Sequence, residues 1–152
     1  MNTIKPFLLV LGLLLVGCVD SQTSERSKAT EFSIDTATYD RAKDTYDGSA
    51  TRTSANAEEV RKVVSAIDWT SGKTRTALLV APVGLDSGES YLSFQHEMNV
   101  DHVRVIAFWK KLGEESPRRF DGADEETIQR LIDAYTRGQE LTDVVEWSVS
   151  DQ

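Results

Sequence analysis

The residues able to do chemistry in this chain are few in kind and unevenly placed. Its 152 residues include 25 Asp and Glu, two His and one Cys. His96, Glu97, Asp101 and His102 cluster around an expected turn, where imidazole and carboxylate ligands could meet across a hairpin. Their spacing matches no standard zinc pattern, so they are expected to be polar residues at a strand–turn junction without a metal. Ser71-Gly72-Lys73-Thr74 matches the last four positions of a phosphate-binding loop, but Ile67 stands where that loop needs its first glycine. The segment also follows an expected helix and precedes a strand, the reverse of the order that places phosphate at a helix N-terminus. In Gly84-Leu85-Asp86-Ser87-Gly88 the serine stands one place too late for a nucleophile elbow. Two histidines near one turn give a catalytic triad little to work with. No carboxylate pair is singled out as acid and base. The expectation is a protein that is not an enzyme and uses no cofactor; an enzymatic role would need the His96–His102 turn to be a metal site.

Charge and tryptophan carry the remaining signal. The net charge is −8, which argues against nucleic acid as the main partner, because binding phosphates requires an excess of Lys and Arg. Asp121 to Gln152 holds nine acidic residues and two basic ones, whereas Val103 to Phe120 holds five basic and two acidic. The acidic stretch reads either as a solvated helix face or as a patch that steers a basic protein partner. The residues expected to meet such a partner are Asp124, Glu125, Glu126, Glu140, Asp143 and Glu146. Trp69 joins them, because it follows a helix and is the tryptophan expected to be partly exposed. Trp109 and Trp147 lie among alternating apolar residues and are expected in the core.

The lone cysteine belongs to the N-terminus. Lys5 precedes an uncharged apolar run from Pro6 to Val16, too short to span a bilayer and of signal-peptide proportions. The run ends in Leu15-Val16-Gly17-Cys18, which resembles the lipobox of bacterial lipoproteins. The resemblance implies cleavage after residue 17 and acylation of Cys18, and two or more chains give a stable membrane anchor. Val19 after Cys18, with Asp20 only one place later, implies the outer membrane, facing the periplasm, in a Gram-negative host. Residues 1–17 are thus expected to be a signal peptide, and 18–31 a lipidated Cys with a polar disordered tether. Loss of Lys5 leaves 16 basic against 25 acidic side chains.

The elements that must position these residues fit one domain over 32–152. Phe32 and Ile34 alternate as in a short strand; Tyr39, Ala42 and Tyr46 are spaced as on a helix; Gly48 to Ala55 is expected to be loop. Asn56 and Glu59 form a capping box before Val60, Val63, Val64 and Ile67, one apolar helical stripe. Ala77–Ala81, Tyr91–Phe94 and Val103–Trp109 read as strands, with Val103, Val105, Ala107 and Trp109 on one face. Leu112–Asp121 is expected to be a polar loop. A second helix starts near Asp124, carries Ile128, Leu131, Ile132 and Tyr135 on one stripe, and ends at Gly138. Val145, Trp147 and Val149 alternate as in a last strand. The order is α-β-β-β-α-β. The links between strands are too short for parallel crossovers, so the fold class is α+β: an antiparallel sheet of about four strands with two amphipathic helices packed on one face.

Phe120-Asp121-Gly122-Ala123-Asp124, then Tyr135-Thr136-Arg137-Gly138, then Val144-Val145-Glu146-Trp147 resemble the C-terminal signature of immunity proteins of bacterial polymorphic toxin systems, the family numbered one. The resemblance spans residues 57–149, with its specific part in the last 30 or so. It implies a protein that binds and occludes a toxin without catalysis. The chain departs from the pattern in lacking a proline before the final strand, and its lipobox implies the envelope rather than the cytoplasm. The leading expectation is an envelope-anchored immunity lipoprotein whose partner is a basic toxin domain. The alternative is an accessory envelope lipoprotein that binds an assembly or cell-wall component without catalysis.

Overall fold

The computed structural model describes residues 29–40, 42–70, 74–86, 88–97 and 103–149. The signal peptide, Cys18, most of the tether, residues 71–73 of the Ser-Gly-Lys-Thr segment and His102 lie outside them.

Seven strands, β1 (Phe32–Asp40), β2 (Thr45–Ala55), β3 (Thr76–Pro82), β4 (Tyr91–His96), β5 (Val105–Lys110), β6 (Arg118–Asp121) and β7 (Ser148–Val149), form one sheet. Its order is β2-β1-β3-β4-β5-β6-β7, and every neighbouring pair is antiparallel. Two helices, α1 (Ala57–Ser65) and α2 (Glu125–Thr136), interrupt the run of strands, and a 3₁₀ turn (Leu141–Asp143) precedes β7.

The α+β class, the antiparallel sheet and the two amphipathic helices agree with the sequence reading. The strand count and the order do not: seven strands stand where about four were expected, in the order β-β-α-β-β-β-β-α-β. Three places account for the difference. Tyr39, Ala42 and Tyr46 belong to a hairpin rather than a helix, because Asp44 turns the chain at φ 53° and β2 pairs back along β1. β2 carries no apolar stripe since it is an edge strand, and of its described side chains only Ala55 is buried. Arg118–Asp121, expected in a loop, is a four-residue strand held by pairing with β5. The last strand shrinks to Ser148–Val149, and Val149 is 74% exposed. Trp147 is drawn inward instead. Its Nε1–H donates to the Leu141 carbonyl at 3.0 Å, and its ring meets Trp109 and Phe120 at 5.5 and 6.2 Å.

The helices form where their local signals place them. Asn56 caps α1 by accepting from the Glu58 and Glu59 N–H groups, and the Glu59 carboxylate accepts from the Asn56 N–H at 2.9 Å. This is the complete capping box. At the other end of α2, Gly138 takes φ 69°; its N–H donates to Tyr135 O and the Gln139 N–H to Ala134 O. This pair of hydrogen bonds to the last turn is the Schellman closure that glycine permits.

Both helices bury their stripes against the same side of the sheet. Val60 and Val64 of α1 and Ile128, Leu131 and Ile132 of α2 join Phe32, Ile34, Leu78, Val80, Leu92, Phe94, Val105, Ala107 and Trp109 in one core. These strand residues alternate along each strand, as a sheet covered on one face requires. Val103, expected on this face, lies before β5 and is 39% exposed. Loss of the α1 cap should weaken the whole layer. Asn56→Ala is expected to lower unfolding free energy by about 1 kcal/mol in urea titration, with an unchanged slope.

Candidate functional site

An open cleft of about 460 Å³ lies where three segments distant in sequence converge. Trp69 and Thr70 come from the link between α1 and β3, Val103 to Val105 lead into β5, and Gly122 to Glu125 join β6 to α2.

Each wall has its own local cause. The Trp69 ring packs against Phe94 and His96, at 5.9 and 5.6 Å between centroids. Its Nε1–H donates to the Val64 carbonyl at 3.1 Å, so the indole closes the end of α1. The third wall is set by two hydrogen bonds to one carbonyl: the N–H groups of Gly122 and Ala123 both donate to Val105 O at 3.0 Å. Gly122 has φ 76°, a conformation that a side chain would strain. That turn delivers the chain to Asp124, whose Oδ1 accepts from the Thr127 N–H at 2.8 Å and starts α2.

The electrostatics separate the carboxylates into two kinds. Asp121 is held by Arg119 at 2.8 Å with Arg104 at 4.0 Å, Asp133 by Arg61, and Glu140 by Lys111 at 2.9 Å. Arg104, which lines the cleft, is also 3.4 Å from Glu97. Its charge is therefore spent on two carboxylates. Glu125 and Glu126, on the first turn of α2, have no ion pair among the described residues and are exposed. The Asp124 carboxyl lies below the usual Asp value of 3.8, chiefly through the Thr127 side-chain hydrogen bond and then the Thr127 backbone N–H. The cleft thus has apolar walls from Trp69, Val103, Val105 and Ala123 and a negative lip at Asp124 and Glu125. Chemically it suits a long cationic side chain: the aliphatic stem lies on the apolar wall and the charged head reaches the carboxylates.

The structure brings three of the seven residues expected at a partner surface, Trp69, Asp124 and Glu125, to one cleft, with Glu126 next along the helix. It leaves Glu140, Asp143 and Glu146 beyond the C-terminal end of α2, a helix about 18 Å long at 1.5 Å per residue. Trp69 needs correction. It is 4% exposed, because packing on Phe94 and His96 takes it into the core, so it serves as a wall and not as an exposed anchor. Trp109 is core, as expected, and Trp147 packs partly buried against it. His96 is buried within the fold: Thr76 N–H donates to its Nδ1 at 2.9 Å and its Nε2 meets Trp69 O at 3.1 Å. Sequence reasoning missed Val103, Val105, Gly122 and Ala123 as walls, since only the Gly122 turn carries a local signal.

The Asp124 cap makes a pH prediction. A carboxyl more acidic when folded contributes stability above its unfolded value, and that stability is lost as pH falls through the folded one. Asp124→Asn keeps an oxygen for the Thr127 N–H and cannot titrate. It is expected to lose less melting temperature than the wild type between about pH 5 and about pH 2; parallel melting curves would contradict the assignment. Comparison with protein-family models, with curated proteins and with solved structures finds no match for this chain.

Proposed function

We propose that this chain is an envelope-anchored lipoprotein that binds and neutralises a basic toxin protein by occluding it. The observation that carries the reading is the cleft at the start of α2, an apolar wall ending at the capping Asp124 and at Glu125, which has no ion pair among the described residues. A binding protein needs such a preformed apolar wall, with an unpaired charge beside it, that a partner can desolvate. A Lys or Arg of the partner enters along Trp69 and Val105 and meets Asp124 and Glu125. The lipobox-like Leu15-Val16-Gly17-Cys18 supports anchoring through Cys18, on the outer membrane and facing the periplasm. The resemblance of the last third to toxin immunity proteins supports neutralisation as the purpose of binding.

The test uses the full chain as bait in a lysate of its own organism, with mass spectrometry on what is retained, followed by kinetics with the captured protein. The expected catch is one basic domain that survives salt washes. Glu125→Lys together with Glu126→Lys should slow its association about tenfold or more at low salt, and less at high salt. Glu140→Lys should slow it less, because Glu140 lies beyond the far end of α2, a helix about 18 Å long. Association rates indifferent to the Glu125 and Glu126 reversals would overturn the cleft as the recognition site. Retention of assembly or cell-wall components alone would favour an accessory lipoprotein.

A further inference from the structure

We propose that the open face of the sheet pairs with the same face of a second copy of this chain. Half of the strand residues point away from the helices. Leu79, Phe108, Ala37, Ala77 and Tyr91 stand outside the core cluster, and among the described residues no helix covers them. Tyr91 on this face is half-buried, and burial pushes its phenol above its ordinary value.

The register across the sheet makes one row of this face complementary to its own reverse. Asp35 stands opposite Leu79, Leu79 opposite Ser93, Ser93 opposite Phe108 and Phe108 opposite Arg119. The row reads carboxylate, apolar, small, apolar, guanidinium. A two-fold axis running along β4 lays the row on a second copy turned end for end. Asp35 then meets Arg119 of the second copy, Leu79 meets Phe108, and Ser93 meets Ser93. Arg119 uses Nε and Nη2 on Asp121 and lies over its own Phe108 ring at 6.0 Å, so the two side chains project as one unit with Nη1 left for a second carboxylate. Asp35 accepts one bond, from the Thr51 hydroxyl at 2.6 Å, and keeps capacity for another. The next row runs Ala37, Ala77, Gln95, Ile106 and Asp121. Reversed on itself, it sets no like charges in opposition.

Shape agrees with charge. A trough of about 240 Å³ lies over Leu79 and the small residues Ala37, Ala77 and Ser93. The same two-fold axis sets Phe108 of the second copy above it. Each copy therefore offers one knob and one hole at equivalent distances from β4, as aligned packing of two sheets requires. Five strands about 4.8 Å apart, each about six residues long, give a patch of roughly 400 Å² per copy. That is below the roughly 800 Å² per partner of a stable interface, so pairing depends on local concentration.

Ser93→Cys tests the axis, in the full chain purified in detergent micelles and treated with a bis-maleimide that spans the roughly 10 Å between packed sheets, from about 1 to about 100 μM, the range of weak pairing. The wild-type chain, whose one cysteine is Cys18, sets the baseline. Ser93→Cys is expected to give a covalent dimer that rises with concentration, and Asp143→Cys, exposed but off this face, no more than the baseline. Adding Phe108→Glu, or Asp35→Arg, to Ser93→Cys should cut the cross-link at least about fivefold with the circular dichroism unchanged; Asp35→Arg covers the case in which Phe108→Glu unfolds the chain. A Ser93→Cys yield no higher than that of Asp143→Cys would overturn the proposal, as would a cross-link that survives the substitutions in folded protein.

Discussion

The buried imidazole of His96 joins three segments that no local interaction would bring together. It ends β4, accepts from the N–H that begins β3, and reaches the carbonyl of Trp69 in the link after α1. Burying a polar ring costs free energy unless both nitrogens are satisfied, and here both face backbone groups. The consequence is positional. Trp69 is fixed against His96 and Phe94, and with it the wall of the cleft. His96, weighed in the sequence as a possible metal ligand, instead fixes the wall of the cleft.

The acidic excess acts through where it is left unspent. The same stretch that carries nine carboxylates against two cations is neutralised in part by basic residues from elsewhere: Arg61 from α1, Lys111 after β5, Arg119 in β6. Exposed pairs of this kind add little stability. They do remove charge from their surroundings. What remains at the start of α2 is held there for a structural reason as well, since anions at a helix N-terminus complement the backbone dipole. Stability of the helix and the sign of the cleft therefore point the same way.

The helices were legible because their signals are local. Asn56 and Glu59 three apart, the stripe through Ile128, Leu131 and Ile132, and Gly138 after the last turn all act within a few residues. The central strands were legible because they bury one side in alternation. β2 was not, because an edge strand paired on one side only and exposed along its length has no stripe to read. Its threonines, Thr45, Thr51 and Thr53, were the one usable hint. β6 has a single apolar residue, Phe120, and exists through its pairing with β5. Trp147 alternates with Val145 and Val149 in sequence, yet its ring is claimed by Trp109 and Phe120. Of the site, the acidic lip could be read and the cleft could not, since its walls come from residues near 70, 104 and 123 that only the sheet brings together.

Two surfaces with different chemistry follow from one architecture: a charged cleft at the edge of the helical layer, and behind it a sheet face of small and apolar residues flanked by Asp35 and Arg119. The account stands or falls on the cleft. Its most direct test is protection. Cells that lack this chain are exposed to the basic protein that the chain captures, and their survival is compared with that of cells carrying the wild type or the Glu125→Lys/Glu126→Lys double variant. The account predicts that the wild type restores growth and that the double variant, present at the same level, does not. Equal growth with and without the chain would contradict it.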